Sequence, residues 1–168
     1  MFSVRDNGSA AIIDTHLQMK AFEKAVETEK IPWLRGCVVK KRNTRLGASL
    51  IDYLLECGGE KVYLEVKSAV LRRAGYAMYP DCPSPRGRKH IRELINHVKE
   101  DGQAAILFIA ALPGVKGFKP NKDADPEVNR LLKKACEEGV TLRCIGLHYD
   151  PNDRFIHLYN PDIKVSLA

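Results

Sequence analysis

Asp52, Glu65 and Lys67 are the residues of this chain whose types and spacing point to a reaction. Glu65 and Lys67 stand two apart in residues 61–68, a run rich in β-forming side chains, so both leave the same face of a strand. Gly58-Gly59 separates that run from residues 49–56, the pattern of a tight hairpin. In the register this turn sets, Glu56 meets Lys61, and Ile51, Tyr53 and Leu55 face Val66, Leu64 and Val62 as one apolar surface. The opposite face then carries Asp52 directly across from Glu65, with Cβ atoms about 5 Å apart, and Lys67 beside them. Two such carboxylates repel, so one must take a proton or a cation must sit between them. Lys67 supplies part of that charge. A divalent ion supplies the rest, and an oxygen-rich site with open positions suits Mg²⁺ or Mn²⁺. That combination can activate a water and stabilise a pentacovalent phosphate. An isolated Glu-x-Lys is common on solvated strands; the in-register Asp52 sets this one apart.

The elements that must hold these residues follow from periodicity and punctuation. A first helix is expected over residues 14–30, with Leu17, Ala21, Phe22, Ala25 and Val26 as its apolar stripe and Pro32 beyond its end. Strands follow at 37–42, 49–56 and 61–68, then a turn-rich stretch over 72–85. A second helix spans about 87–100, burying Ile91, Leu94, Ile95 and Val98. Residues 104–112 are continuously apolar, as in a strand covered on both faces. Asp125-Pro126-Glu127 starts a third helix, with a cap, a proline at the first position and an acidic first turn. Residues 140–149 and 154–159 close the chain as a hairpin around Pro151-Asn152-Asp153. The order αβββαβαββ predicts an α/β domain with a mixed central sheet flanked by helices.

Composition bounds the reading. The 168 residues suit one domain, and 45% apolar with 29% charged residues is ordinary for a globular chain. Residues 104–112 fall far short of the ~20 that a membrane helix needs, and the first eight residues lack an apolar signal core. A cytoplasmic protein with no membrane partner is expected. The five cysteines form no Cys-x-x-Cys pair, which argues against a zinc knuckle and a secreted disulfide framework. Reduced thiols are the default, with one disulfide open to a source that lives hot. The net charge of +6 permits an acidic polymer as partner, so where the charge sits matters more than its sum.

Arg86, Arg88, Lys89 and Arg92 crowd the start of the second helix, where the macrodipole disfavours cations but exposed N–H groups favour phosphate. His90 beside them is expected to cap or to contact a phosphate. Arg45 belongs to a second basic run, with Arg35, Lys40, Lys41 and Arg42. Together Arg45, Arg86, Arg88, Lys89, His90 and Arg92 form the expected nucleic-acid surface. Glu23 is read as solvent-facing, opposite the first helix's stripe. Asp81, in a turn, is either an outer ligand of the site or a turn former.

An Asp followed by a hairpin and Glu-x-Lys resembles the signature of PD-(D/E)XK nucleases, the restriction-endonuclease-like fold, with Ile51 where that signature has proline. More specifically, the chain resembles the C-terminal domain of the sugar fermentation stimulation protein family. The residues that carry this are the run from Arg45 through Asp52 to Leu55, Tyr63-Leu64-Glu65-Val66-Lys67-Ser68, Tyr79-Pro80-Asp81, and Arg86 to His90 with Glu93-Leu94. The family tends to have arginine where this chain has Leu50. Its usual N-terminal domain, an oligonucleotide-binding-like β-barrel, is expected to be absent, leaving residues 1–12 as a short tail before a nuclease-like domain over 13–168. The resemblance implies DNA binding, in preference to RNA, and a phosphodiester-hydrolysing site. Asp52, Glu65 and the Val66 carbonyl would be metal ligands, Lys67 would act on the water or the developing charge, and a homodimer is conceivable. The alternative is a non-catalytic DNA-binding regulator of sugar-metabolism genes. A small-molecule sensor finds no support, for the chain has no Gly-rich phosphate loop and no paired-aromatic sugar platform. Either Asp52→Ala or Glu65→Ala is expected to abolish Mn²⁺ binding in calorimetry, and unchanged binding would remove both residues from the site.

Overall fold

Three amphipathic stretches and a set of β-rich runs assemble into a large sheet covered by helices, with a small sheet at one end. The computed structural model describes residues 3–6 and 8–167. In chain order the elements are β1 (Ser3–Asp6), β2 (Ser9–Ile12), α1 (Thr15–Glu27), β3 (Cys37–Leu46), β4 (Ser49–Cys57), β5 (Glu60–Ser68), β6 (Leu71–Arg73), β7 (Tyr76–Tyr79), α2 (Pro85–Lys99), β8 (Gln103–Ala110), β9 (Gly117–Pro120), α3 (Pro126–Glu137), β10 (Thr141–Asp150) and β11 (Phe155–Asn160). The main sheet runs β1-β2-β10-β8-β5-β4-β3, and β11 pairs with β10. β5, β8 and β10 are parallel neighbours, while β3-β4-β5 form antiparallel pairs. No helix among the described residues is long and apolar enough to cross a membrane.

The expected mixed sheet flanked by helices is present; the expected order αβββαβαββ lacks β1, β2, β6, β7 and β9. These strands have three or four residues each, too few for a period-2 pattern to stand out. β1 and β2, expected as a tail, form a hairpin that reaches β10 through Ala10 and Tyr149. β6 and β7 flank Ala74-Gly75, both at positive φ, inside the stretch read as turn-rich.

Each helix opens on a side-chain cap. Asp14, Ser84 and Asp125 accept hydrogen bonds from the backbone N–H of Leu17, Gly87 and Val128. The α1 cap is therefore Asp14, the first residue of the expected span. Phe22, Ala25 and Val26 of α1 pack on one face of the sheet, over Tyr53, Leu55, Leu64, Leu107 and Ile109. On the other face Ile91 and Leu94 of α2 and Leu131 of α3 pack over Ile106 and Phe108. β8 lies between these layers, buried from Ala104 to Ala110, as its continuous apolar run requires.

Cys37 and Cys57 are cross-strand partners on β3 and β4 and form a disulfide; Cys82, Cys136 and Cys144 are free thiols. Phe108 joins the two sheets, stacking on Phe118 of β9 with ring centroids 3.8 Å apart. Phe108→Ala is expected to cost about 3–5 kcal/mol in denaturant unfolding, as for other buried aromatic truncations. Val38→Ala, at an exposed position on β3, should change stability by about 0.5 kcal/mol or less.

Candidate active site

The β4–β5 hairpin has the expected register from Cys57–Glu60 to Tyr53–Leu64. Its ladder ends there, and from Ile51 back to Ser49 β4 is paired with β3. The two strands part at Asp52. Instead of facing Glu65 across a continued ladder, Asp52 turns its carboxylate toward β5, and its Oδ2 accepts the Val66 N–H at 2.8 Å. The side chain thus takes the place of a backbone acceptor. The parting also corrects the expectation of one apolar surface: Tyr53 and Leu55 pack under α1, whereas Ile51 joins the core beneath α2 and α3.

Glu65 is 2% exposed, on the face of β5 covered by α2. Its Oε1 accepts from the Lys67 ammonium and also meets His90 Nδ1 at 2.5 Å. Arg86 Nε donates to His90 Nε2 at 3.4 Å, which leaves Nδ1 as the donor to Glu65. The other oxygen, Glu65 Oε2, is buried without a hydrogen-bond partner among the described residues. Burial by itself would raise the Glu65 carboxyl, but the His90 hydrogen bond and the Lys67 charge outweigh it and hold the group below its usual range. Asp52 goes the other way. Burial first, then the negative charge of Glu65, push it up to about 6, against the Val66 N–H, Lys67 and His90. One carboxylate of the pair has its counter-charge and the other lacks one.

The surrounding elements fix this arrangement. Lys67 Nζ lies 6.0 Å from the centroid of the Tyr79 ring. The Tyr79 hydroxyl bonds to Ser84, the Tyr79 carbonyl accepts the Asn121 N–H, and Asn121 Nδ2 donates to the Pro80 carbonyl. Asp125, the α3 cap, also accepts from the Ser84 N–H, tying the start of α2 to the start of α3. At the β3–β4 turn Gly47 has φ +53, and a Cβ there would lie 2.3 Å from Glu93 Oε2. That close approach lets Glu93 accept the Ala48 N–H while Lys89 donates to the Ala48 carbonyl.

The structure therefore brings Asp52, Glu65, Val66 and Lys67 together and adds His90. His90 was expected on the nucleic-acid surface; at 5% exposure and bonded to Glu65, it belongs to the buried side of α2 instead. Its sequence signal was its place one residue before Ile91 and four before Leu94, inside the apolar stripe. Arg88 approaches Asp125, and Arg92 pairs with Glu127 on α3, so these cations also neutralise the neighbouring helix start. Arg86 and Arg45 are exposed, on α2 and β3. Asp81 is exposed beyond Pro80, where its charge pushes the Cys82 thiol up. Glu23, read as solvent-facing, is largely covered: it accepts from the Tyr53 hydroxyl at 2.7 Å and pairs with Arg42. Tyr53 is raised by its burial and by that hydrogen bond. Arg42 on the sheet-edge strand and the Tyr53 hydroxyl hold the carboxylate between them, contacts that helical spacing alone does not show.

The family model described as the sugar fermentation stimulation protein RE domain matches residues 16–153. The chain is 51% identical over 157 residues to the sugar fermentation stimulation protein homolog of Pyrococcus furiosus, covering 94% of this chain and 68% of that protein. It is 46% identical over 165 residues to the homolog of Archaeoglobus fulgidus, covering 98% and 69%. The homolog of Caldanaerobacter subterraneus is 35% identical over 149 residues, covering 88% of this chain and 64% of that protein. The chain thus spans roughly two thirds of the length of these relatives. The structure of Pyrococcus furiosus SfsA in complex with Ca²⁺ superimposes with a TM-score of 0.95 at 48% identity, over 99% of this chain and 71% of that one.

The raised Asp52 carboxyl gives a stability prediction with a definite sign. The folded state keeps this proton up to about pH 6, whereas the unfolded chain releases it near 3.8, so stability falls as pH rises between the two. Asp52→Asn, which can still accept the Val66 N–H, should make the metal-free protein about 1–3 kcal/mol more stable at pH 7.5. Near pH 3.5 the two proteins should match. Urea unfolding at both pH values checks this, and a variant less stable at both would contradict it.

Proposed function

Because the chain belongs to the sugar fermentation stimulation protein family, we propose that it binds DNA and hydrolyses phosphodiester bonds with the help of a divalent cation. The observation that carries this reading is the unequal charge compensation of the Asp52–Glu65 pair. Glu65 Oε2 is buried and unpartnered, and Asp52 is pushed up to about 6. Both are the behaviour of a donor set made for a cation. Hard carboxylate oxygens suit Mg²⁺ or Mn²⁺, with the Val66 carbonyl as the further donor. The Ca²⁺ named for the Pyrococcus furiosus relative accords with an all-oxygen site.

A bound Mg²⁺ or Mn²⁺ would supply a Lewis acid for a phosphoryl oxygen and lower the pKa of a coordinated water. The protein's own residues do the positioning. Asp52 is fixed by the Val66 N–H and Glu65 by His90 and Lys67, which leaves Glu65 Oε2, buried and unpartnered among the described residues, to meet a cation beside Asp52. Lys67, beside the Tyr79 ring, offers its ammonium to the negative charge that builds on the phosphoryl oxygens. His90 touches Glu65 and acts through it as a positioning residue. Arg86 and Arg45, both exposed, are the cations best placed for phosphate contact, and Lys89 and Arg92 extend that surface while holding turns and helix ends.

Lys67→Ala is expected to lower Mn²⁺-dependent cleavage of DNA by about 10²–10³-fold while leaving DNA affinity nearly unchanged. Incubation of both proteins with single- and double-stranded DNA and RNA measures this and ranks the substrates. Equal cleavage by the two would expose a contaminant. Binding without cleavage by either would replace the hydrolase with a DNA-binding regulator.

A further inference from the structure

The β10–β11 hairpin carries a second group of ligating side chains, on the far side of β8 from the β4–β5 hairpin in the strand order. His148 and Asp150 leave one face of β10, His157 is the cross-strand partner of His148, and Asp153 lies in the connecting turn. Ligand atoms of Asp150, Asp153 and His157 all lie within 4.8 Å of one another. The hairpin backbone holds the two carboxylates: Asp150 Oδ1 accepts the Asn152 N–H and Asp153 Oδ1 the Phe155 N–H, each at 2.8 Å. Asp153 Oδ2 meets His157 Nε2 at 2.7 Å. The group differs from a purely acidic cluster in its paired imidazoles, the His148 and His157 rings stacking with centroids 5.4 Å apart. His148 Nδ1 is buried without a hydrogen-bond partner among the described residues, so this corner is short of one polar contact.

We propose that the open end of this hairpin is a second cation site, taking a transition-metal ion of the Zn²⁺ class through Asp150, Asp153 and His157 Nε2. Imidazole nitrogen beside carboxylates favours Zn²⁺ over Mg²⁺ or Ca²⁺, whose sites are built from oxygen. Donors about 2.0–2.2 Å from such an ion stand about 3.4 Å apart in a tetrahedron, so side-chain rotations that bring the widest-spaced donors up to about 1.4 Å closer and open the Asp153–His157 pair by about 0.7 Å suffice. The ion replaces the Asp153–His157 hydrogen bond with two stronger links and clips the turn to β11. His148 stacks on the His157 ring beside the site. The role is structural, pinning the end of the hairpin where Phe155 is exposed.

The test uses the full chain with Asp52→Asn and Glu65→Gln, which removes the first site, and titrates it with Co²⁺ by visible absorption and with Zn²⁺ by competition. One ion per chain is expected, with affinity at least ten-fold weaker after His157→Ala and again after Asp153→Asn. In the wild-type chain His157→Ala should remove one equivalent of Zn²⁺ and leave Mn²⁺ binding unchanged. No saturable Zn²⁺ binding, or equal affinity in both hairpin variants, would overturn the proposal whatever the outcome of the cleavage assay.

Discussion

The charge balance of two neighbouring carboxylates, half-buried Asp52 on β4 and buried Glu65 on β5, constrains everything around them. Glu65 is nearly inaccessible, and a lone anion there would cost several kcal/mol. Lys67 and His90 meet that cost at Oε1 and keep Glu65 ionised. They do not meet it for Asp52, whose carboxyl rises first because burial strips it of water and then because Glu65 is already negative. A pair that a proton or a cation would complete is the direct consequence.

The fold supplies the precision this balance needs. β8, apolar and buried from Ala104 to Ala110, gives β5 a rigid parallel neighbour. The parting of β4 from β5 frees the Val66 N–H, and Asp52 takes it. α2 brings His90 to Glu65 because its apolar stripe must lie on Ile106 and Phe108. Its entry is fastened by Asp125 of α3. Gly47 allows Glu93 to hold the turn that leads into the Asp52 strand. Each support acts by restricting rotamers rather than by touching a reacting atom, which is what preorganisation requires.

Much of this was legible in the residues. The Gly58-Gly59 turn fixed the hairpin register, and the alternation of 61–68 put Glu65 and Lys67 on one face. The first two helices were marked by their apolar stripes and the third by its cap; the mixed sheet followed from their order. Less legible was what depends on distant partners. No local pattern says that β4 leaves β5 at Asp52, since period-2 alternation continues through the break. The cations of α2 look like an unbroken phosphate-binding patch until α3 brings Asp125 and Glu127 alongside. Glu23 looks solvated until Arg42 and Tyr53 arrive from neighbouring strands. Short strands such as β6 and β9 carry too few residues for periodicity to reveal them.

The most direct measurement is the titration of the Asp52 carboxyl carbon by NMR, with and without Mg²⁺. The account predicts a midpoint near 6 in the metal-free protein, moving below the ordinary carboxylate range when Mg²⁺ is added, while Glu65 stays ionised throughout. An Asp52 midpoint near 3.8 that Mg²⁺ leaves in place would contradict it.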